Sequence, residues 1–153
     1  MDLLKAMRRI LLAILVLGLA GTGAELLLLG HVETLLQAIP VLLVGVGLGL
    51  VVCHLLTERQ GVVRALQATM TLFVLSGVTG ILLHYRSNEE FELEMHPSLA
   101  GLDLFKETMT GAIPTLAPGA MIQLGLIGLA YSFSHRSSRS DSAVKPMTKE
   151  TAS

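Results

Sequence analysis

The chain has 153 residues, 52% of them hydrophobic and 15% charged, with a formal net charge of −1. A soluble domain carries about a quarter charged residues, so an ordinary soluble fold is excluded, and a near-neutral chain offers no global basic field to nucleic acid. Cys53 is the sole cysteine, which excludes an internal disulfide and any multi-cysteine metal site.

The charge deficit comes from four long apolar blocks, each able to cross a hydrocarbon core about 30 Å thick as a helix. Span one covers 10–30, ILLAILVLGLAGTGAELLLLG, and is interrupted only by Thr22 and Glu25. Residues 1–20 share the basic start, apolar run and small residues (Gly18, Ala20) of a cleaved signal peptide. The apolar run continues to residue 30, however, which favours an uncleaved helix. Span two covers 35–56, LLQAIPVLLVGVGLGLVVCHLL, and span three 65–84, ALQATMTLFVLSGVTGILLH. None of these runs has the alternation of barrel strands, and a helix satisfies its own backbone in lipid.

Next comes the outer segment, 85–113, which holds Glu89, Glu90, Glu92, Glu94, Asp103 and Glu107. The run Glu90-Phe91-Glu92-Leu93-Glu94-Met95 alternates strictly, which predicts an extended backbone with carboxylates on one face. Phe91, Leu93 and Met95 would then fasten the segment onto the bundle mouth. Ser98 is placed to cap a short interfacial helix through Met109, with Leu99, Leu102, Phe105 and Met109 on one side. Span four covers 114–133, PTLAPGAMIQLGLIGLAYSF. The remainder, 135–153, is Ser-rich and polar and is expected to be a disordered cytoplasmic tail.

Lysine and arginine set the direction. Lys5, Arg8, Arg9, Arg59, Arg64, Arg136, Arg139, Lys145 and Lys149 fall on one side of this arrangement, and only Arg86 and Lys106 on the other. Both termini are therefore expected in the cytoplasm, and the protein in the inner (plasma) membrane. The expected fold is an all-α, four-helix transmembrane bundle over 1–134. A faint repeat suggests two tandem helical hairpins. Thr22-Gly23 in span one matches Thr79-Gly80 in span three, and Ala38-Ile39-Pro40 matches Ala112-Ile113-Pro114.

Several residue sets carry chemical meaning. Gly45 and Gly49 form a GxxxG, and Gly77, Gly80, Gly125 and Gly128 punctuate the later spans. Small residues let helix backbones approach closely, so these are expected packing positions. GVGLG in span two lacks the strand-turn-helix setting of a nucleotide loop. Glu25 is the one carboxylate inside a span, about 9 Å from the outer end at 1.5 Å per residue. With Thr79 and His84 it is the candidate proton- or ion-coupling group, since an intramembrane acid is by default a functional candidate. His31 and His84 end spans one and three, while His54 and His135 lie near the cytoplasmic ends of spans two and four. Seven residues before each is a small residue: Ala24, Gly77, Gly47 and Gly128 respectively. Two turns of helix put each on its histidine's face, as two haem b sites would require. Glu90, Glu92, Glu94 and His96 offer oxygen and nitrogen ligands for a weak metal site, without fixed spacing.

No Ser-His-Asp set, HExxH or Walker loop is present, and no enzymatic activity is expected. A four-span chain with a glutamate in its first helix superficially resembles the small multidrug-resistance transporters. It departs from them in having no tryptophan, only Tyr85 and Tyr131, and a long acidic segment. The leading expectation is a non-enzymatic membrane subunit or scaffold, with lipid, other membrane proteins or its own copies as partners and no nucleic acid. It requires no cofactor. The alternatives are electron transfer through haem b and coupled transport by an oligomer through Glu25.

Overall fold

The structure is a computed structural model describing residues 3–57 and 59–144, with side chains described through residue 133. Five helices follow in order: α1 (Leu3–Leu28), α2 (Leu35–Thr57), α3 (Gln60–Met95), α4 (Gly101–Thr110) and α5 (Gly119–Val144). Among the described residues there is no strand.

α1, α2 and α3 are long and apolar enough to cross a membrane. Their most apolar windows are only 17%, 22% and 28% buried. Most of that apolar surface therefore faces outward, as lipid-facing helices require. The chain is a helical membrane protein on this ground. α1 packs on α2 and α5, and α3 packs on α2 and, most extensively, on α5, so these helices enclose one core. The core joins Leu15 and Leu19 of α1, Val44 and Val51 of α2, Leu66, Met70 and Phe73 of α3, and Met121, Leu124 and Tyr131 of α5.

The connections are built from local hydrogen bonds. α1 ends in a Schellman motif: His31 N–H donates to Leu26 C=O at 2.9 Å, and Gly30 N–H to Leu27 C=O at 3.1 Å. Gly30 takes φ +64°, which only glycine adopts without cost. α2 opens with a reciprocal capping box. Gln37 N–H donates to Thr34 Oγ1 at 3.3 Å, and Thr34 N–H to Gln37 Oε1 at 3.1 Å.

Three sequence expectations change. First, 90–95 is helical and not extended, because α3 runs unbroken from residue 60 to 95. Glu, Leu and Met are strong helix formers, and lengthening an existing helix carries no nucleation cost. Phe91, Leu93 and Met95 consequently stay 51%, 38% and 60% exposed, and do not fasten a loop to the bundle mouth. At about 54 Å, α3 is longer than a hydrocarbon core of about 30 Å, so its polar end projects beyond the apolar part. Secondly, α4 starts at Gly101 and not at Ser98. Gly101 has φ +60°, which resets the chain direction there, and the N-cap Ala100 makes no side-chain cap. Leu102 and Phe105 are 66% and 49% exposed, while Thr108 is fully buried. Thirdly, residues 114–118 form a turn and not the start of span four. Pro114 and Pro118 lack N–H donors, and short bonds such as Gly119 N–H to Leu116 C=O at 2.9 Å replace the helix. The apolar helix that remains is Gly119–Phe133. The α5 backbone continues to Val144, and 145–153, the rest of the expected disordered tail, lies outside the described residues.

Candidate functional site

Three places concentrate polar or close-packed groups. The tightest is the seam between α3 and α5. A Cβ on Gly125 would lie 2.6 Å from the Met70 carbonyl oxygen, and one on Gly77 would lie 2.8 Å from that of Pro118. Backbone atoms cannot swing aside, so only glycine fits there. Gly128 abuts the Met70 side chain, and Gly80 the Pro118 ring. Gly23 of α1 likewise faces Val44 of α2, so the glycines of both Thr-Gly pairs meet their returning segments.

Gly45 and Gly49 behave differently. Nothing lies within 4 Å of a Cβ on either. They occupy the face of α2 opposite buried Val44, Gly47 and Val51, alongside exposed Leu42, Val52 and Leu56. The GxxxG therefore faces out of the molecule.

The second place is a polar clasp at the end of the α3 apolar stretch. Asn88 is 2% exposed. Its Nδ2 donates toward Thr108 C=O at 3.0 Å, Ile113 C=O at 2.7 Å and Thr115 Oγ1 at 3.1 Å. Its Oδ1 accepts from Ile113 N–H at 3.1 Å. An amide nitrogen has two hydrogens, so three acceptors share them. Thr115 Oγ1 donates onward to Thr108 C=O at 3.2 Å. One turn earlier, His84 Nδ1–H donates to Pro114 C=O at 2.9 Å. His84 and Asn88 together pin 113–115 to α3, and Gly111 permits the approach, since a Cβ there would lie 2.7 Å from Asn88 Cγ. Nothing in the sequence distinguishes Asn88 before its partners, 20 to 27 residues away, are placed.

The third place is at the opposite end of the core. His54 and Tyr131 are 4% and 3% exposed and meet edge to face, with ring centroids 5.7 Å apart. The Arg8 guanidinium carbon stands 5.9 Å from the Tyr131 ring centroid, within cation–π range.

The predicted site residues distribute as follows. Glu25 is exposed on α1 near Gly21, where a Cβ would meet nothing within 4 Å, and Leu28, which is 88% exposed. Thr79 is exposed and lines an apolar groove of about 290 Å³ between α2 and α3, with Leu36, Pro40, Leu43 and Leu83. No hydrogen bond among the described residues joins Glu25 to Thr79 or His84, and His84 is engaged with Pro114. Of the candidate haem ligands, His31 sits in the turn after α1, His54 packs on Tyr131, and the His135 side chain lies outside the described ones. The room foreseen at Gly47, Gly77 and Gly128 is filled, while Ala24, seven residues before His31, is exposed. Gly47 receives Met70 Cε, Phe73 and Leu19, all within 3.6 Å of a Cβ, and Gly77 and Gly128 are closed by neighbouring helices. Glu90, Glu92 and Glu94 lie on α3, where 100° per residue turns Glu92 away from the other two, and His96 caps the helix end. Among the described residues no group of three His, Cys, Asp or Glu gathers to hold a metal ion.

Comparison with protein-family models, curated proteins and solved structures finds no match for this chain.

Proposed function

We propose that the protein is a non-enzymatic subunit or scaffold of a membrane assembly, docking through the outer face of α2. The observation that carries this reading is the sorting of the glycines. Gly77 and Gly80 of α3 and Gly125 and Gly128 of α5 are consumed by packing within the chain, whereas a Cβ on Gly45 or Gly49, in the middle of α2, would meet nothing within 4 Å, and both are flanked by exposed aliphatic side chains. In lipid, helix association rests on close van der Waals packing, which an open GxxxG face offers to another helix. The topology belongs to the same reading. α5, flanked by the 114–118 turn, makes a fourth crossing, both termini are cytoplasmic, and the projecting end of α3 with α4 faces outward in a prokaryotic plasma membrane.

The test is extraction in mild detergent at native abundance, followed by mass measurement of the particle. An assembly larger than one chain, reduced to a single chain by Gly45→Leu with Gly49→Leu, supports the reading. A monomer in the native sequence overturns it.

Coupled transport is the second reading, favoured by the outward exposure of Glu25 on α1. A carboxylate facing out of its own chain would serve a pathway between copies and not one within the bundle. Glu25→Gln in proteoliposomes should then abolish flux, and unchanged flux removes the idea. The filled spaces at Gly47, Gly77 and Gly128 lend the haem reading no support.

A further inference from the structure

The outer ridge of α1 and the groove between α2 and α3 hold polar groups of opposite hydrogen-bonding sense. On α1, Ile14, Leu17, Gly21, Glu25 and Leu28 follow at spacings of three, four, four and three, so they share one stripe. All five are exposed, Leu17 and Leu28 at 74% and 88%. Glu25 is the only carboxylate in α1, and among the described residues it accepts no hydrogen bond. A carboxylate turned toward hydrocarbon is costly without a partner.

The groove supplies the complementary donors. Thr57, Thr71, Thr110 and Ser132 each turn the hydroxyl back onto a carbonyl of their own helix. Among the described residues, the Ser76 and Thr79 hydroxyls have no such acceptor. They are the two polar residues of the groove, set among Leu36, Leu43, Leu72 and Leu83.

The depths coincide. α1 and α3 are separated by the single returning helix α2, so as spans they cross in the same direction. Glu25 lies six residues before His31 and Thr79 five before His84, at the ends of these apolar stretches. At 1.5 Å per residue that is about 9 Å and about 8 Å. Copies related by a rotation axis along the membrane normal keep every atom at its own depth. An acceptor and its donors can meet across such an interface only if their depths already match within one chain, as these do.

We propose that the groove takes α1 of a second copy, whose Glu25 carboxylate accepts hydrogen bonds from Ser76 and Thr79. The exposed leucines of the α1 stripe fill the apolar length of the groove. Gly21, where a Cβ would meet nothing within 4 Å, lets the incoming backbone approach closely. Gly45 lies about 200° round α2 from Leu43 at 100° per residue. The contact is therefore separate from the α2 docking face proposed above, and it requires no transport.

The experiment is disulfide cross-linking in native membranes. Two differently tagged full chains, both Cys53→Ser, are co-expressed and oxidised with copper phenanthroline. One carries Gly21→Cys, and the other Leu72→Cys or Leu75→Cys, one turn below the hydroxyls. A linked pair bearing both tags is expected. Thr79→Val should lower its yield about threefold, and Ser76→Ala with Thr79→Val, or Glu25→Leu, about tenfold, on the scale of interhelical hydrogen bonds in membranes. None of these side chains bonds within the chain, so the thermal midpoints should be unchanged. Gly45→Leu with Gly49→Leu should leave the yield as it was. Detergent removes the planar confinement on which so small a contact depends, so particle mass in detergent reports the α2 face and the membrane cross-link reports this one. Absence of the linked pair overturns the proposal and leaves the groove to acyl chains. Equal yield from the Glu25 and hydroxyl variants also overturns it, since the copies would then meet without the polar contact. So does loss of the pair in the Gly45 and Gly49 variant alone, which would assign the contact to the α2 face.

Discussion

Asn88 shows what a single side chain must do when it is buried at the edge of an apolar core. Four polar atoms from two segments converge on its amide. Replacement by leucine of similar size takes the Asn88 amide from the Ile113 N–H and the Ile113 carbonyl, and leaves the Thr108 carbonyl with the Thr115 hydroxyl alone. An unsatisfied buried group costs about 1–3 kcal/mol, so Asn88→Leu should lower the thermal midpoint in detergent by several degrees and expose the 108–115 segment to protease. An unchanged midpoint would mean that the clasp is not structural. The sequence offers no sign of this role, because a lone asparagine in a polar run reads as solvated until a distant loop is folded onto it. The T-x-x-Q box at Thr34 and Gln37 is the opposite case: its whole geometry is contained in four consecutive residues.

At the scale of elements, the two glycine sets predict opposite mutational outcomes. Gly125→Ala and Gly77→Ala put a methyl group against backbone carbonyls. The helices must separate, and overpacking of this kind costs about 1–3 kcal/mol. Gly45→Ala and Gly49→Ala meet open space and should leave the thermal midpoint of the monomer unchanged or raised, since alanine is the better helix former. If both pairs behave alike, the sorting has no energetic meaning. The apolar helices were legible because runs of this length have few alternatives in hydrocarbon. Which glycines face inward was not, because GxxxG spacing specifies a surface and not its partner. The run 90–95 misleads for a related reason. Its alternation fits a strand only if that segment stands alone, and it instead continues a helix begun thirty residues earlier.

For the whole molecule, the decisive property is how many times the chain crosses the bilayer. Three helices meet the length and apolarity that crossing demands. Gly119–Phe133, the fourth crossing in the function we propose, rises about 22 Å and would need its flanking turn to complete the distance. Its glycines nevertheless seat it against α3 as closely as any pair in the structure, which supports the proposal that the two helices share one depth. The polar ends agree. Lys5, Arg8 and Arg9, beside His54 and Tyr131, lie at one end, and the Asn88 clasp with α4 lies at the other. Hydropathy alone conveyed the four blocks, while the turn at 114–118 became visible only once the Pro114 and Pro118 bonds were placed. The direct measurement is labelling by a membrane-impermeant maleimide in a Cys53→Ser background, with a C-terminal epitope tag. Ser98→Cys should react in intact cells, whereas Gly61→Cys and the tag should become accessible only after permeabilisation. A tag exposed on the same side as the Ser98→Cys label would leave an odd number of crossings and contradict the four-crossing bundle.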